Sequence, residues 1–180
     1  GFVETDKCDS IHWSSLVAAI TNTVKIRSAI DREGALHRRP LHYAECYPKE
    51  SKSTISRDAF LFVLAYAVAQ KDLKLVESIF EYGRNHRWIM GRGRVSRTYF
   101  TPNMQALYGL AIEALGGASY PERLYPIHWT SDNRDFEGHL QVVSILVYGK
   151  IRGFIPDGAV NVLSRYYAKQ PRNPLFAAAY

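Results

Sequence analysis

The chain has 180 residues, of which 47% are hydrophobic and 22% are charged, and its apolar residues run along the whole length, which excludes a disordered chain. No apolar run approaches the ~20 residues of a membrane-spanning helix, so we expect one soluble domain, residues 1–180, without a membrane partner. The net charge is +6, but Lys and Arg are scattered, which disfavours nucleic acid as a partner; a polyanionic sugar would satisfy the same charge.

The first third of the chain predicts one capped helix and a long irregular segment. Asp9 or Ser10 can cap a helix that reaches about Thr21, and residues 24–32 either extend it or form a second short helix. Prolines interrupt residues 37–53, a segment that holds several Tyr and His residues. Because long loops inside compact domains are often functional, this segment is a candidate for part of a site.

The middle of the chain predicts a helical hairpin. Ser56 can cap a helix over residues 57–70, and Asp72 can cap the next, over residues 73–86. Only Lys71 and Asp72 separate the two helices, so they must fold back on each other as an antiparallel pair.

The rest of the chain predicts further helices and no strand, because no segment alternates at period 2 for long enough. The Gly- and Arg-rich stretch 91–100 is expected to be a loop. Thr101-Pro102 begins a helix that Gly116-Gly117 ends, and Gly149 ends the following helix, which starts at about Arg134. Two more helices open at Pro156-Asp157-Gly158 and at Asn173-Pro174. The fold class is therefore all-α, built from antiparallel helical hairpins.

The cysteines and the glycines give little support for a cofactor or a metal. Cys8 and Cys46 are too few for a disulfide scaffold, and both one bridge and two buried thiols remain open. No paired Cys/His spacing suggests zinc, and Gly91-Arg92-Gly93-Arg94 is not a dinucleotide-binding loop. We expect neither a metal nor a cofactor.

Three polar clusters near helix ends could carry chemistry. Asp6 and Asp9 precede the first helix, where carboxylates are favourable, although Asp9 can also be only a cap. Asp58 complements the dipole of its helix, but Arg57 opposes it. Arg57 therefore needs a partner, either a carboxylate in a structural pair or an anionic ligand.

The third cluster follows the second helix of the hairpin. His86 could act as a general acid or base, and Trp88 could stack on the apolar face of a sugar. Ordinary packing and a contact with the helix dipole would explain the same two residues.

These motifs resemble the α/α-toroid superfamily of six-hairpin glycosidase-like and polysaccharide-lyase-like proteins. The resemblance lies in Thr5-Asp6-Lys7-Cys8-Asp9-Ser10, in Ser56-Arg57-Asp58 and in the helix that leads to His86 and Trp88, with His139-Leu140-Gln141 and residues 171–176 fitting the same pattern. The pattern is also similar to uncharacterised bacterial and bacteriophage toroid domains. A complete toroid has ~12 helices and the sequence predicts about seven, so we expect a partial toroid or a fragment of a larger one.

The resemblance implies a carbohydrate-active protein, a glycoside hydrolase or polysaccharide lyase, that acts on or binds a polysaccharide. It places rim carboxylates at Asp6, Asp9 and Asp58 and assigns Arg57 to an acidic group of the sugar or to the orientation of Asp58. It makes Tyr43, His86 and Trp88 ligand contacts. A hydrolase would hold two carboxylates roughly 5–9.5 Å apart. A lyase would need a Tyr or His base near an Arg.

Two alternatives stay open. One is a non-catalytic bacteriophage virion or assembly protein, with other chains of the assembly as partners. The other is a nucleic-acid-binding domain that works through the arginines of residues 84–97. An extracellular, periplasmic or virion-associated location is favoured over the cytoplasm.

Overall fold

The computed structural model describes residues 11, 14, 15, 18, 26–40, 55–93, 96–130 and 135–179, and this part of the chain is mainly helical. Its α-helices are α1 (Arg57–Ala69), α2 (Leu73–Asn85), α3 (Pro102–Ala114), α4 (Asp135–Arg152), α5 (Asp157–Lys169) and α6 (Pro174–Ala179). Strands β1 (Ile89–Arg92) and β2 (Arg97–Tyr99) pair antiparallel between α2 and α3, and 3₁₀ turns lie at Ile26–Ala29 and Pro121–Leu124. None of the described helices is both long and apolar enough to cross a membrane.

Helix α1 lies at the centre of the fold. Its buried residues fall on every side of the helix: Ala59, Phe60, Leu61, Val63, Leu64, Tyr66 and Ala67. Such a helix must be covered all round, and α2, α3 and α4 pack against it. Tyr108 of α3 is fully buried and donates its hydroxyl hydrogen to the Phe60 carbonyl at 2.9 Å. Burial raises the pKa of Tyr108 well above 10.0, so this phenol stays protonated.

Helix α4 has two apolar sides and separates two hydrophobic clusters. Leu140, Val143 and Val147 face the main core around α1. Val142 and Ile145 belong to a second cluster with α5 and α6. The remaining buried members of that second cluster are Ala159, Val162, Leu163, Tyr166 and Phe176. Because each side of α4 is covered by different helices, its orientation about its own axis is fixed.

The hairpin of α1 and α2 is confirmed, with both helices ending one residue earlier than predicted. Lys71 adopts a left-handed conformation in the connection, with φ of 55°. Asp72 caps α2 by accepting a hydrogen bond from the Leu75 amide at 3.2 Å, and Arg27 forms an ion pair with the same carboxylate. The cap and the ion pair together fix the tight turn.

The start of α3 is confirmed, since Thr101 accepts a hydrogen bond from the Met104 amide at 3.4 Å. The predicted end of the following helix at Gly149 is wrong, because α4 continues to Arg152 and the left-handed Gly153, with φ of 78°, follows it. Gly149 instead provides room, since a Cβ there would lie 2.8 Å from Ile155 Cγ1.

The prediction of a loop without strands over residues 91–100 is also wrong. Strands β1 and β2 have four and three residues, too few to show a readable alternation in the sequence. Tertiary contacts stabilise them instead: Thr98 is buried and donates its hydroxyl hydrogen to the Ile55 carbonyl.

We predict that Gly83→Ala destabilises the protein, although Ala has a higher helix propensity than Gly. Ala in an exposed helix interior gains about 1 kcal/mol over Gly. A Cβ at Gly83, however, would lie 2.8 Å from Trp88 Cε3 and 3.0 Å from Met90 Sδ. Overpacking of this kind costs about 1–3 kcal/mol, so urea unfolding should show a net loss. Gly158→Ala in α5 meets nothing within 4 Å and should match or exceed wild type. A more stable Gly83→Ala protein would contradict the packing of Trp88 on α2.

Tyr120 attaches the segment after α3 to α2. Its ring lies 4.9 Å from that of Phe80, and its hydroxyl donates to Glu81 Oε1 at 2.7 Å. The hydrogen bond to Glu81, together with burial and the charges of Glu81 and Glu77, raises the pKa of Tyr120 from 10.0 to about 12. Between these pH values the unfolded chain releases the proton that the folded chain keeps, so stability falls as pH rises.

We predict that Tyr120→Phe removes this pH dependence. The variant should be less stable than wild type by about 1 kcal/mol near neutral pH, and the difference should vanish above the folded pKa of about 12. Urea unfolding over a pH series measures the stability difference near neutral pH and its disappearance at high pH. The control, Tyr125→Phe, alters a ring that is 40% exposed and should change neutral-pH stability by less than about 0.5 kcal/mol. A difference for Tyr120→Phe that is constant across the pH range would contradict the Glu81 hydrogen bond.

Candidate binding pocket

The residues predicted for a site fall into two groups. Asp6, Asp9 and Tyr43, with both cysteines, lie outside the described residues. Asp58 lies in the first turn of α1, where its Oδ1 accepts a hydrogen bond from the Ala59 amide at 3.1 Å. The side chain of Asp58 does not line the pocket described below.

His86 and Trp88 lie at the end of α2 and contact the protein interior. His86 Nδ1 is 2.8 Å from the Tyr82 carbonyl oxygen, and its ring stacks on the Tyr82 ring with centroids 4.0 Å apart. Trp88 packs edge-on against Phe80 at 5.2 Å and parallel to Phe100 at 6.3 Å. These contacts support the packing interpretation of both residues, and neither side chain lines the pocket.

A pocket of about 320 Å³ lies where α1, α3 and α4 begin. Arg57 is the first residue of α1, Thr101 caps α3, and Glu137 is in the first turn of α4. The polar lining consists of Arg57, Thr101, Asn103, His128, Glu137, Gln141 and Ser144, and the apolar lining of Leu61, Pro102, Met104 and Leu140. The starts of α1 and α3 and one side of α4 therefore surround one cavity.

Arg57 and Glu137 form an ion pair across the pocket. Arg57 Nη2 donates to Glu137 Oε1 at 2.8 Å, and the two side chains are 33% and 30% exposed. Glu137 thus supplies the carboxylate partner that an arginine at a helix N-terminus needs. Because both side chains reach solvent, the pair adds about 1 kcal/mol or less to stability and can be opened at low cost.

One face of α4 provides most of the remaining polar wall. Glu137, Gln141 and Ser144 are four and three residues apart, so they lie above one another on the helix. Gln141 Oε1 is buried and accepts no hydrogen bond from any described residue. A buried acceptor without a donor costs about 1–3 kcal/mol.

His128 is held at the pocket wall by the side chain of Asn103. Asn103 Nδ2 donates to the His128 carbonyl at 2.9 Å, and its Oδ1 accepts from the His128 amide at 3.2 Å. These two hydrogen bonds fix the backbone of the loop at His128, while the His128 side chain remains exposed. The imidazole of His128, which can act as a base or as a hydrogen-bonding group, therefore belongs to the same pocket as Arg57.

Sequence reasoning singled out Arg57 but missed its partners in the pocket. Glu137 lies 80 positions from Arg57, and no local signal connects them. The segment His139-Leu140-Gln141 had been noted on its helix, one turn beyond Glu137. His128 and Asn103 lack any motif. Within the described ranges, no three His, Cys, Asp or Glu side chains come together as a metal site.

No protein-family model, no curated protein and no solved structure matches the chain. The function is therefore argued from the chemistry and the geometry of the pocket.

Proposed function

We propose that the protein binds an acidic saccharide, one that carries a carboxylate or sulfate group, in the pocket between α1, α3 and α4. The observation that carries this proposal is the Arg57–Glu137 pair, with N···O at 2.8 Å, in a polar cavity of about 320 Å³. Small-molecule sites range over about 300–1,000 Å³, so the cavity suits one sugar residue. Arg57 would take the acidic group through its planar donor fork.

The charge distribution in the pocket favours an anion. Arg57 and the starts of α1 and α3 contribute positive potential, and Glu137 is the only carboxylate among the described residues of the lining. An incoming carboxylate would compete with Glu137 for Arg57, and the displaced Glu137 could accept hydrogen bonds from sugar hydroxyls. The net charge of +6 attracts the same class of ligand.

The uncharged side chains of the lining suit hydroxyl groups. Thr101, Asn103, Gln141 and Ser144 offer donors and acceptors on both sides of the cavity. A sugar hydroxyl both donates and accepts, so it can pair with either kind of group in the lining.

Aromatic rings continue the Gln141 face of α4 beyond the pocket. Tyr148 lies one turn after Ser144, and its ring centroid is 5.6 Å from that of Trp129 and 6.1 Å from that of Phe154. Phe154 is 52% exposed. Apolar faces of sugar rings stack on such groups, which supports a polysaccharide over a single small acid.

A lyase activity is the second candidate, because Arg57 and His128 line the same pocket. In a uronate, Arg57 would neutralise the carboxylate and His128 would remove the proton at C5. The electron pair forms the C4=C5 bond, the C4–O bond breaks, and the leaving sugar takes up a proton. Hydrolysis with two carboxylates has less support, since the described lining offers one.

We further propose that the helical hairpins form a partial α/α toroid. A role as a bacteriophage virion or assembly protein remains an alternative prediction.

We predict that Arg57→Gln removes the preference for acidic sugars. Titration calorimetry should show that wild type binds a galacturonate disaccharide more tightly than its neutral counterpart. Loss of a charged hydrogen bond worth about 1.5–3 kcal/mol should weaken acidic binding roughly 10- to 100-fold. Glu137→Gln removes the carboxylate that competes for Arg57 and should tighten the same binding.

The matched control is Arg123→Gln. Arg123 pairs with Glu113 at 3.4 Å and is 30% exposed, close to the values for Arg57, but it lies outside the pocket. The affinities of Arg123→Gln for the acidic and the neutral disaccharide should equal those of wild type. Equal acidic and neutral binding by wild type, or weaker acidic binding by Glu137→Gln, would contradict the proposal.

The lyase candidate is tested with His128→Gln. Wild type is expected to convert an oligogalacturonate to a product with the ultraviolet absorbance of an unsaturated uronate. The variant should lose about 10²-fold or more in rate while affinity stays within about threefold. Binding without any such product would leave the protein a binding module and exclude the lyase.

A further inference from the structure

We infer that the outer face of the β-hairpin, formed by Arg92, Arg97 and Tyr99, is a second anion-binding surface. This surface binds further acidic groups of the same polysaccharide, one sugar residue of which occupies the pocket. The inference rests on the proposed function and makes its ligand a chain of acidic sugars.

The strand register brings the two arginines together. Arg92 pairs directly with Arg97, so both side chains lie on one face of the hairpin, and both are exposed. Tyr99 is two residues from Arg97 on the same face and is 48% exposed. On the opposite face Thr98 is buried and bonded to the Ile55 carbonyl. The inner face therefore anchors the hairpin and leaves the outer face open to solvent.

The opposed arginines repel each other, and no carboxylate of the described residues forms an ion pair with either of them. Like charges that face each other across strands are destabilising. The ion pairs among the described residues engage Arg27, Arg57, Arg84 and Arg123 rather than Arg92 or Arg97. Asp31 and Glu33 lie near enough to Tyr82 to act on it electrostatically, as Arg92 does. Neither carboxylate forms an ion pair with Arg92 among the described residues. An anionic ligand would relieve the repulsion.

The basic face lies close to the pocket along the chain. Strand β2 leads through Phe100 to Thr101, which lines the cavity, so the Cα atoms of Tyr99 and Thr101 are at most about 7 Å apart. One extended polymer can therefore contact both surfaces. A polyuronate repeats its charge along the chain and offers a ring face to Tyr99. A nucleic acid would repeat the charge, but the described lining of the pocket has no Phe, Tyr or Trp ring on which its bases could stack.

The test compares galacturonate oligomers of increasing length in calorimetry at several salt concentrations. The double variant Arg92→Gln/Arg97→Gln should bind the disaccharide as wild type does. It should lose about tenfold in affinity for a long oligomer, and its log–log salt slope should fall by about 1.4 for the two charges. Circular dichroism and thermal melting check folding, and relief of the Arg–Arg repulsion should leave the variant at least as stable. The single variant Arg97→Gln provides a milder second measurement.

The control double variant Arg84→Gln/Arg123→Gln removes the same charge from arginines that already have carboxylate partners. An equal loss in the control, or no gain in affinity with oligomer length, would overturn the inference while disaccharide binding still supports the pocket. Tighter binding of a polythymidylate of equal charge would overturn it in favour of a nucleic-acid surface. Failure of the disaccharide itself would overturn the proposed function.

Discussion

The burial of α1 on every side is the constraint on which the rest of the structure depends. Its buried Phe, Leu and Val side chains each contribute about 1.5–3 kcal/mol when they are fully removed from water, which requires α2, α3 and α4 to surround it. The hydrogen bond from Tyr108 to the Phe60 carbonyl adds a directional tie between α1 and α3. Helix α1 therefore cannot rotate or slide without exposing apolar surface, and the position of Arg57 at its first residue is fixed.

The pocket follows from this arrangement of helices. When α3 and α4 pack beside α1, Thr101 at the start of α3 and Glu137 in the first turn of α4 line the same cavity as Arg57, which contributes a positive charge to it. Glu137 offsets this positive potential in the free protein. Arg57 needs an anionic partner, and Glu137 is that partner in the empty pocket. An acidic saccharide can compete with Glu137 for the same guanidinium. Structure and proposed function are thus linked through one ion pair, which is weak enough to exchange partners.

Much of the helical framework could be read from the sequence, because it depends on local signals. Thr101-Pro102 and Asp72 are caps, and the short connection at Lys71 forces a hairpin. The errors occurred where tertiary contacts override local preference, at Gly149, which is packed under Ile155, and in strands that are held by contacts such as that of Thr98. Arg57 was recognised because it opposes its helix dipole. Glu137, His128 and Gln141 were not, since only the packing of α4 on α1 brings them near Arg57.

The central claim is that an acidic sugar occupies the space between the starts of α1, α3 and α4. The most direct measurement is the change in backbone amide resonances during titration with a galacturonate disaccharide. The account predicts saturable shifts at Arg57, at residues 101–104, at His128 and along residues 137–144, with His86 and Trp88 unaffected. Shifts centred on His86 and Trp88, or no shifts at high ligand concentration, would contradict it.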